Sequence, residues 1–377
     1  MSDAAAAPEE PDRAPGAPHP RQTQRLIGQG AAQARFLEAY NAQRLHHGWL
    51  LTGPRGVGKA TLAWSIARFL LAMPLADDGG GLFGDAPSAP ASLEISPDHP
   101  VARRILAGSE PGLFHITRSV NEKTGRMRDM IVAEDVRSLN RFLQLSATDG
   151  GRRVVIIDCA DEMNIQAANA LLKMLEEPPA RTTLLLISHQ PARLLPTIRS
   201  RCRELRLHPL NAADMQAALD QAGVSAGENA TALTALAAGS VGEAVRLSNL
   251  GGLEIYAELI AIAQGLPRLD RTRALKLAEA AAARGAEDKL DLLISLFDLL
   301  LARLARTGAT GHAPDPEAAT GEAALLARLS PTPARARAWA TCAEEIGARA
   351  RHGRAVNLDP AALVLDTIFR LQRTVAS

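Results

Sequence analysis

The run from Trp49 to Lys59 constrains this chain more than any other stretch. Trp49-Leu50-Leu51-Thr52 is a short apolar strand, and Gly53-Pro54-Arg55-Gly56-Val57-Gly58-Lys59 follows it at once. Ala63, Ile66, Ala67 and Leu70 then recur at helical spacing. A strand, a glycine-rich turn and a helix in direct succession have the local geometry of a phosphate loop. Glycines allow the tight turn that aims backbone N–H groups at phosphate oxygens. The helix N-terminus adds partial positive charge, and Lys59 would reach the β- and γ-phosphates. A glycine turn that binds nothing is the other reading of the same residues. Either way, a buried strand feeding a helix commits this part of the chain to a layered α/β fold.

The pattern on both sides agrees. Helical spacing spans roughly Ala31 to Arg44, Ala133 to Leu145 and Asn164 to Leu175, the last stopped by Pro178-Pro179. Strands are expected at Leu113–Ile116, Arg152–Asp158, Thr182–Ser188 and Arg203–Leu207. Strands alternating with helices predict a doubly wound parallel sheet flanked by helices. Order is expected to begin near Leu26, after a disordered tail at 1–20 rich in Ala and Pro. Residues 73–112, with Gly79-Gly80-Gly81 and several prolines, read as a long loop or insertion. Beyond Leu210 no strand pattern remains. The expected division is an α/β domain at 21–210, a small helical domain at 211–250 and an all-α domain at 251–377.

The loop departs from a working nucleotide site at one position. Ser or Thr should follow the lysine so that its hydroxyl can hold Mg²⁺, but Ala60 stands there. Thr61 is the nearest hydroxyl, about 100° further round the helix. A second element of such sites is an apolar strand ending in an acid, and Val154-Val155-Ile156-Ile157-Asp158 supplies it. Taken alone, Asp158 could equally cap the next turn. Gly53, Gly56, Gly58, Lys59, Thr61 and Asp158 are therefore the candidate nucleotide-binding residues. ATP with Mg²⁺ is the implied cofactor, its occupancy left open.

Composition removes other classes. The net charge of +1 gives no whole-molecule field to attract nucleic acid. Cys159, Cys202 and Cys342 are isolated, which argues against zinc and disulfides and fits a reducing cytoplasm. No apolar run is long enough for a membrane span. Arg103, Arg104, Arg126, Arg128, Arg152 and Arg153 read as solvated loop charge before they read as a DNA-facing surface. Glu176 and Glu177 end a helix where acids oppose its dipole, which points to a partner or a buried pair. Arg199, Arg201 and Arg203 crowd a turn that, by composition, is simply basic.

Three stretches resemble a known family: Ile27-Gly28-Gln29 with Arg44 to Pro54; Asn169 to Pro179 (NALLKMLEEPP); and Leu194 to Cys202, ending Ser200-Arg201-Cys202. They resemble the AAA+ subunits of the bacterial DNA polymerase III clamp loader, and the delta-prime type among them. Leu26 to Leu210 carries this resemblance well. Val356-Asn357-Leu358-Asp359-Pro360 resembles the start of the family's last collar helix. The resemblance implies an AAA+ domain, a helical lid and a helical collar that joins gamma/tau and delta subunits. It implies Arg201 as an arginine finger completing a neighbour's ATP site. The sliding clamp and primed DNA would be partners of the assembly. An ATP-hydrolysing member would have a hydroxyl at 60, Glu at 159 and a sensor arginine where Gly242 stands. Ala60, Cys159 and Gly242 all point to the non-hydrolysing type. A gamma/tau-type motor, or an AAA+ enzyme outside replication, is the competing reading.

Overall fold

In the computed structural model, residues 10, 13, 17–74, 89–144, 151–224, 227–283, 285–356 and 358–376 are described. The chain divides into two compact units, Met1–Ala218 with Gly239–Gly242, and Leu219–Ala238 with Glu243–Ser377.

In the first unit, α1 (Gly30–Asn41) leads to β1 (Gly48–Thr52), and β1 leads to α2 (Lys59–Ala72). Then come α3 (Pro100–Leu106), β2 (Leu113–Ile116), α4 (Ala133–Gln144) and β3 (Arg153–Ile157). α5 (Ile165–Glu176), β4 (Thr182–Ser188), α6 (Pro196–Ser200) and β5 (Arg203–Arg206) complete the sheet region. α7 (Ala212–Gln221) follows. All pairs are parallel, in the order β2-β3-β4-β1-β5. The central strands β1 and β4 are buried along their whole length, as continuous apolar runs covered on both faces require. Leu50, Val155, Ile157, Leu184 and Leu186 pack with Leu171 and Leu175 of α5 and with Val136 and Leu139 of α4.

Two expectations change here. Residues 73–112 are not loose throughout. Of this segment 75–88 lies outside the described residues, but α3 occupies 100–106 and buries Val101 and Ile105. Its start signal is local: His99 accepts a hydrogen bond from Val101 N, and Pro100 sits at the first helical position. Order also begins before Leu26. His19 is buried, edge-on to Trp64 at 5.6 Å, and caps a 3-10 turn at Pro20–Gln22. The ring that holds it lies 45 residues on, so no local pattern signals the contact. The rest of the expected tail, 1–9, 11–12 and 14–16, lies outside the described residues.

The second unit is helical: α8 (Ala230–Ala237), most of α9 (Val241–Asn249), α10 (Gly252–Gln264) and α11 (Arg271–Ala282). α12 (Glu287–Thr310), α13 (Glu322–Leu329), α14 (Pro333–Ala355) and α15 (Pro360–Ala376) follow. α12 packs along α14, and α11 along α15. Tyr256, Phe297 and Trp339 fill the interior.

Candidate nucleotide loop and arginine turn

Gly53, Gly56 and Gly58 all have positive φ, at 139°, 76° and 100°, which only glycine adopts without strain. They deliver Lys59 to the first position of α2, as the sequence predicts. The lysine does not project into open space. It is 3% exposed, and its Nζ donates to Gly53 O at 2.7 Å and to Pro54 O. Burial pulls its pKa down to about 8, against the opposing pull of Asp158, Cys159 and Asp161. The structure thus brings Lys59 and Asp158 into one electrostatic neighbourhood. Thr61 is the third residue of α2, two beyond Lys59.

The loop is closed from outside as well. Ser240 Oγ donates to Arg55 O at 2.9 Å, and Gly242 N donates to Gly56 O at 3.1 Å. A Cβ on Gly242 would lie 3.0 Å from Gly56 Cα, and a Cβ on Gly56 would lie 2.2 Å from Ser240 Oγ. Glycine at 242 therefore lets this segment seat against the loop.

The acidic strand ends as expected, with Asp158 buried beyond β3. Cys159 takes a left-handed conformation, φ 59°, and places Sγ 3.3 Å from His189 Nε2. Burial, then the Asp158 and Glu162 carboxylates, push its thiol well above the ordinary range. It stays protonated and cannot serve as a base or nucleophile at neutral pH. Asp161 is committed elsewhere, accepting from His189 N at 3.0 Å and Gln190 N at 3.1 Å. His189, beyond the end of β4, was not legible as a site residue. Burial and the charges of Lys59 and Arg55 lower it to about 4, so the imidazole is neutral. It also lines a cavity of about 280 Å³ with Thr52, Pro54, Glu204 and Arg206. A lone histidine after an apolar strand carries no sequence signal; only the strand order sets it beside Cys159.

The basic turn lies elsewhere. Arg201 caps the C-terminus of α6, two residues before β5. Gly48 opens β1 beside it: a Cβ there would lie 3.2 Å from Arg201 O. β1 and β5 are parallel, with Trp49 opposite Arg203 and Thr52 opposite Arg206. The arginine therefore sits past the N-terminal ends of these strands, and the phosphate loop past the C-terminal end of β1. At a rise of roughly 3.3 Å per residue, five residues of strand separate them by about 16 Å.

Most of the other arginines are engaged within the chain. Arg103 pairs with Asp98 at 2.8 Å and Arg104 with Glu110 at 2.7 Å. The Arg152 guanidinium lies over the Tyr40 ring at 5.5 Å, and Arg153 donates to Leu143 O. Arg126 and Arg128 share a surface loop with Asn121 and Met130, and Arg128 donates to Ser119 Oγ.

Against this geometry, the family model described as DNA polymerase III, delta subunit, matches residues 28–211. That match spans just under half of the chain. The chain is 41% identical over 156 residues to DNA polymerase III subunit delta' of Pseudomonas aeruginosa, covering 41% of each protein. It is 30% identical over 175 residues to subunit delta' of Escherichia coli, 46% of each. To subunit gamma/tau of Mycobacterium bovis it is 31% identical over 199 residues, 52% of this chain and 30% of that protein. The chain thus spans less than half the length of each of these relatives. The matched segment contains every candidate residue named above except Ser240 and Gly242.

Proposed function

We propose that this chain is a non-hydrolysing, delta-prime-type subunit of a DNA polymerase III clamp loader. It supplies Arg201 in trans to ATP held by a neighbouring gamma/tau-type subunit while the sliding clamp is loaded on primed DNA. The observation that carries this reading is the placement of Arg201 at the opposite strand ends from the chain's own phosphate loop. A guanidinium there reaches no phosphate in its own loop, yet five N–H donors suit it to bind a neighbour's. Lack of hydrolysis is supported by Ala60, by the protonated Cys159 and by the engagement of Asp161. The loop in its present closure does not fit a triphosphate, because Lys59 is held by two carbonyls of its own turn. A lid at 211–250, a collar at 251–377 joining gamma/tau and delta subunits, and a cytoplasmic location belong to the same proposal. No described helix is long and apolar enough to cross a membrane.

Two measurements test it. The purified chain with Mg-ATP is expected to release no phosphate above background. Turnover that disappears in Lys59→Ala would instead make this chain a motor. In the assembly reconstituted with gamma/tau and delta subunits, Arg201→Ala is expected to leave assembly intact and slow ATP hydrolysis. An arginine finger is worth about 10³ to 10⁵ in rate at its own site. Unchanged turnover would refute the finger.

A further inference from the structure

The proposed finger is not idle in the free chain. Its Nη2 lies 2.9 Å from Glu176 Oε1, and its Nη1 donates to Thr197 O at 3.1 Å. Two of its five N–H donors are thus used on its own unit. Glu176 is the last residue of α5, and its side chain is half exposed. A carboxylate there adds to the negative end of the helix dipole, so the position disfavours it unless a cation sits close by. Arg201 is that cation. The end of α5 is otherwise tied down: His47 Nε2 lies 3.0 Å from Leu175 O, and Glu177 N donates to Lys173 O at 3.1 Å. The Arg201 backbone is fixed as well, its N–H donating to Ile198 O at 3.1 Å, so the pair opens by side-chain rotation alone.

Resting on the finger reading above, we infer that Glu176 is a positioning residue: a competing anion that holds Arg201 until a neighbour's phosphate displaces it. Carboxylate and phosphate contend for the same guanidinium. The pair must break before Arg201 can engage, so only an anion that binds the guanidinium better than Glu176 does draws it across. The pair is solvent-exposed on both sides, with 37% of the arginine and 50% of the glutamate side chain accessible. Its hold is accordingly weak, and a triphosphate can break it.

The test uses the full chain in the reconstituted assembly, with ATP turnover read as kcat and KM. Glu176→Gln keeps shape and hydrogen bonding but removes the charge. It is expected to raise kcat/KM for ATP about two- to fivefold, the range an exposed ion pair spans. The gain should shrink as salt is raised from about 50 to 500 mM, because screening already weakens the native hold. In an Arg201→Ala background the same substitution is expected to change nothing, since the coupling runs through the guanidinium. A Glu176→Gln assembly that turns over at the native rate or slower, while Arg201→Ala is slowed, overturns the latch and leaves the finger standing. A gain that persists in the Arg201→Ala background, or at high salt, overturns it too. An Arg201→Ala assembly with native turnover removes the finger and the latch together.

Discussion

Lys59 shows how little a motif says about the state of its central residue. The spacing of Gly53, Gly58 and Lys59 reports a turn that can cradle phosphate, and the turn is present. The ammonium, however, is buried against Gly53 O and Pro54 O. Its folded pKa of about 8 lies below the ordinary 10.5. Between those values the unfolded chain binds the extra proton, so stability rises with pH from about 8 to 10.5. Below pH 8 both states are protonated and the whole penalty of the buried charge applies, on the order of 3 kcal/mol at most. Lys59→Met should flatten this rise in urea unfolding curves run from pH 7 to 10.5. A variant that keeps the native slope would assign it to other groups. Asp161 acts at the same scale. Its carboxylate takes the N–H groups of His189 and Gln190. Asp161→Ala strands two donors and should cost about 2–4 kcal/mol, measured by urea midpoint. A loss below 1 kcal/mol would mean that water replaces the carboxylate.

At the level of elements, boundaries follow caps more closely than periodicity. α5 starts after Asn164, whose Oδ1 accepts from Ala167 N at 2.8 Å, and stops before Pro178. Both limits are local and both were readable. Asn164→Ala should cost about 1 kcal/mol in thermal or urea unfolding, as loss of an N-cap does. No measurable change would show that the tertiary packing of Leu171 and Leu175 alone holds the helix. α3 was missed for the opposite reason. Seven residues are too few for a helical period to rise above the Gly- and Pro-rich residues before it, although His99 and Pro100 marked its start.

For the molecule as a whole, the two units are stabilised differently. The first rests on the apolar faces of its sheet. The second builds part of its interior from polar groups. Glu322, fully buried, accepts from Arg303 Nε at 2.7 Å, from Tyr256 Oη at 2.5 Å and from Ala318 N at 2.8 Å. Arg303 also donates to Ala235 O at 3.2 Å, so one ion pair links α8, α10, α12 and α13. Burial, followed by the Glu322 carboxylate, holds the Tyr256 phenol above its ordinary range, so it remains a donor. Glu322→Ala leaves a buried cation and two unpaired donors, and should destabilise this unit by about 3–5 kcal/mol. Hydrogen exchange would show faster amides in α10, α12 and α13, with β1, β3 and β4 unchanged. Uniform protection across both units would count against an isolated role.

Local chemistry made the phosphate loop, the acidic strand, the parallel α/β order and the helical second half legible in the sequence, because glycines, apolar runs and caps act over a few residues. Ala60, Cys159 and Gly242, on which the proposed lack of hydrolysis draws, stand in the sequence itself. Closure of the Lys59 loop by Ser240 and Gly242, the Cys159–His189 contact and the Arg201–Glu176 pair each join residues at least 25 positions apart. Which of these meet depends on strand order and register, and local sequence does not encode either. The same sheet order decides that Arg201 faces away from its own phosphate loop. Sequence named both groups; the parallel pairing of β1 with β5 set them at opposite ends.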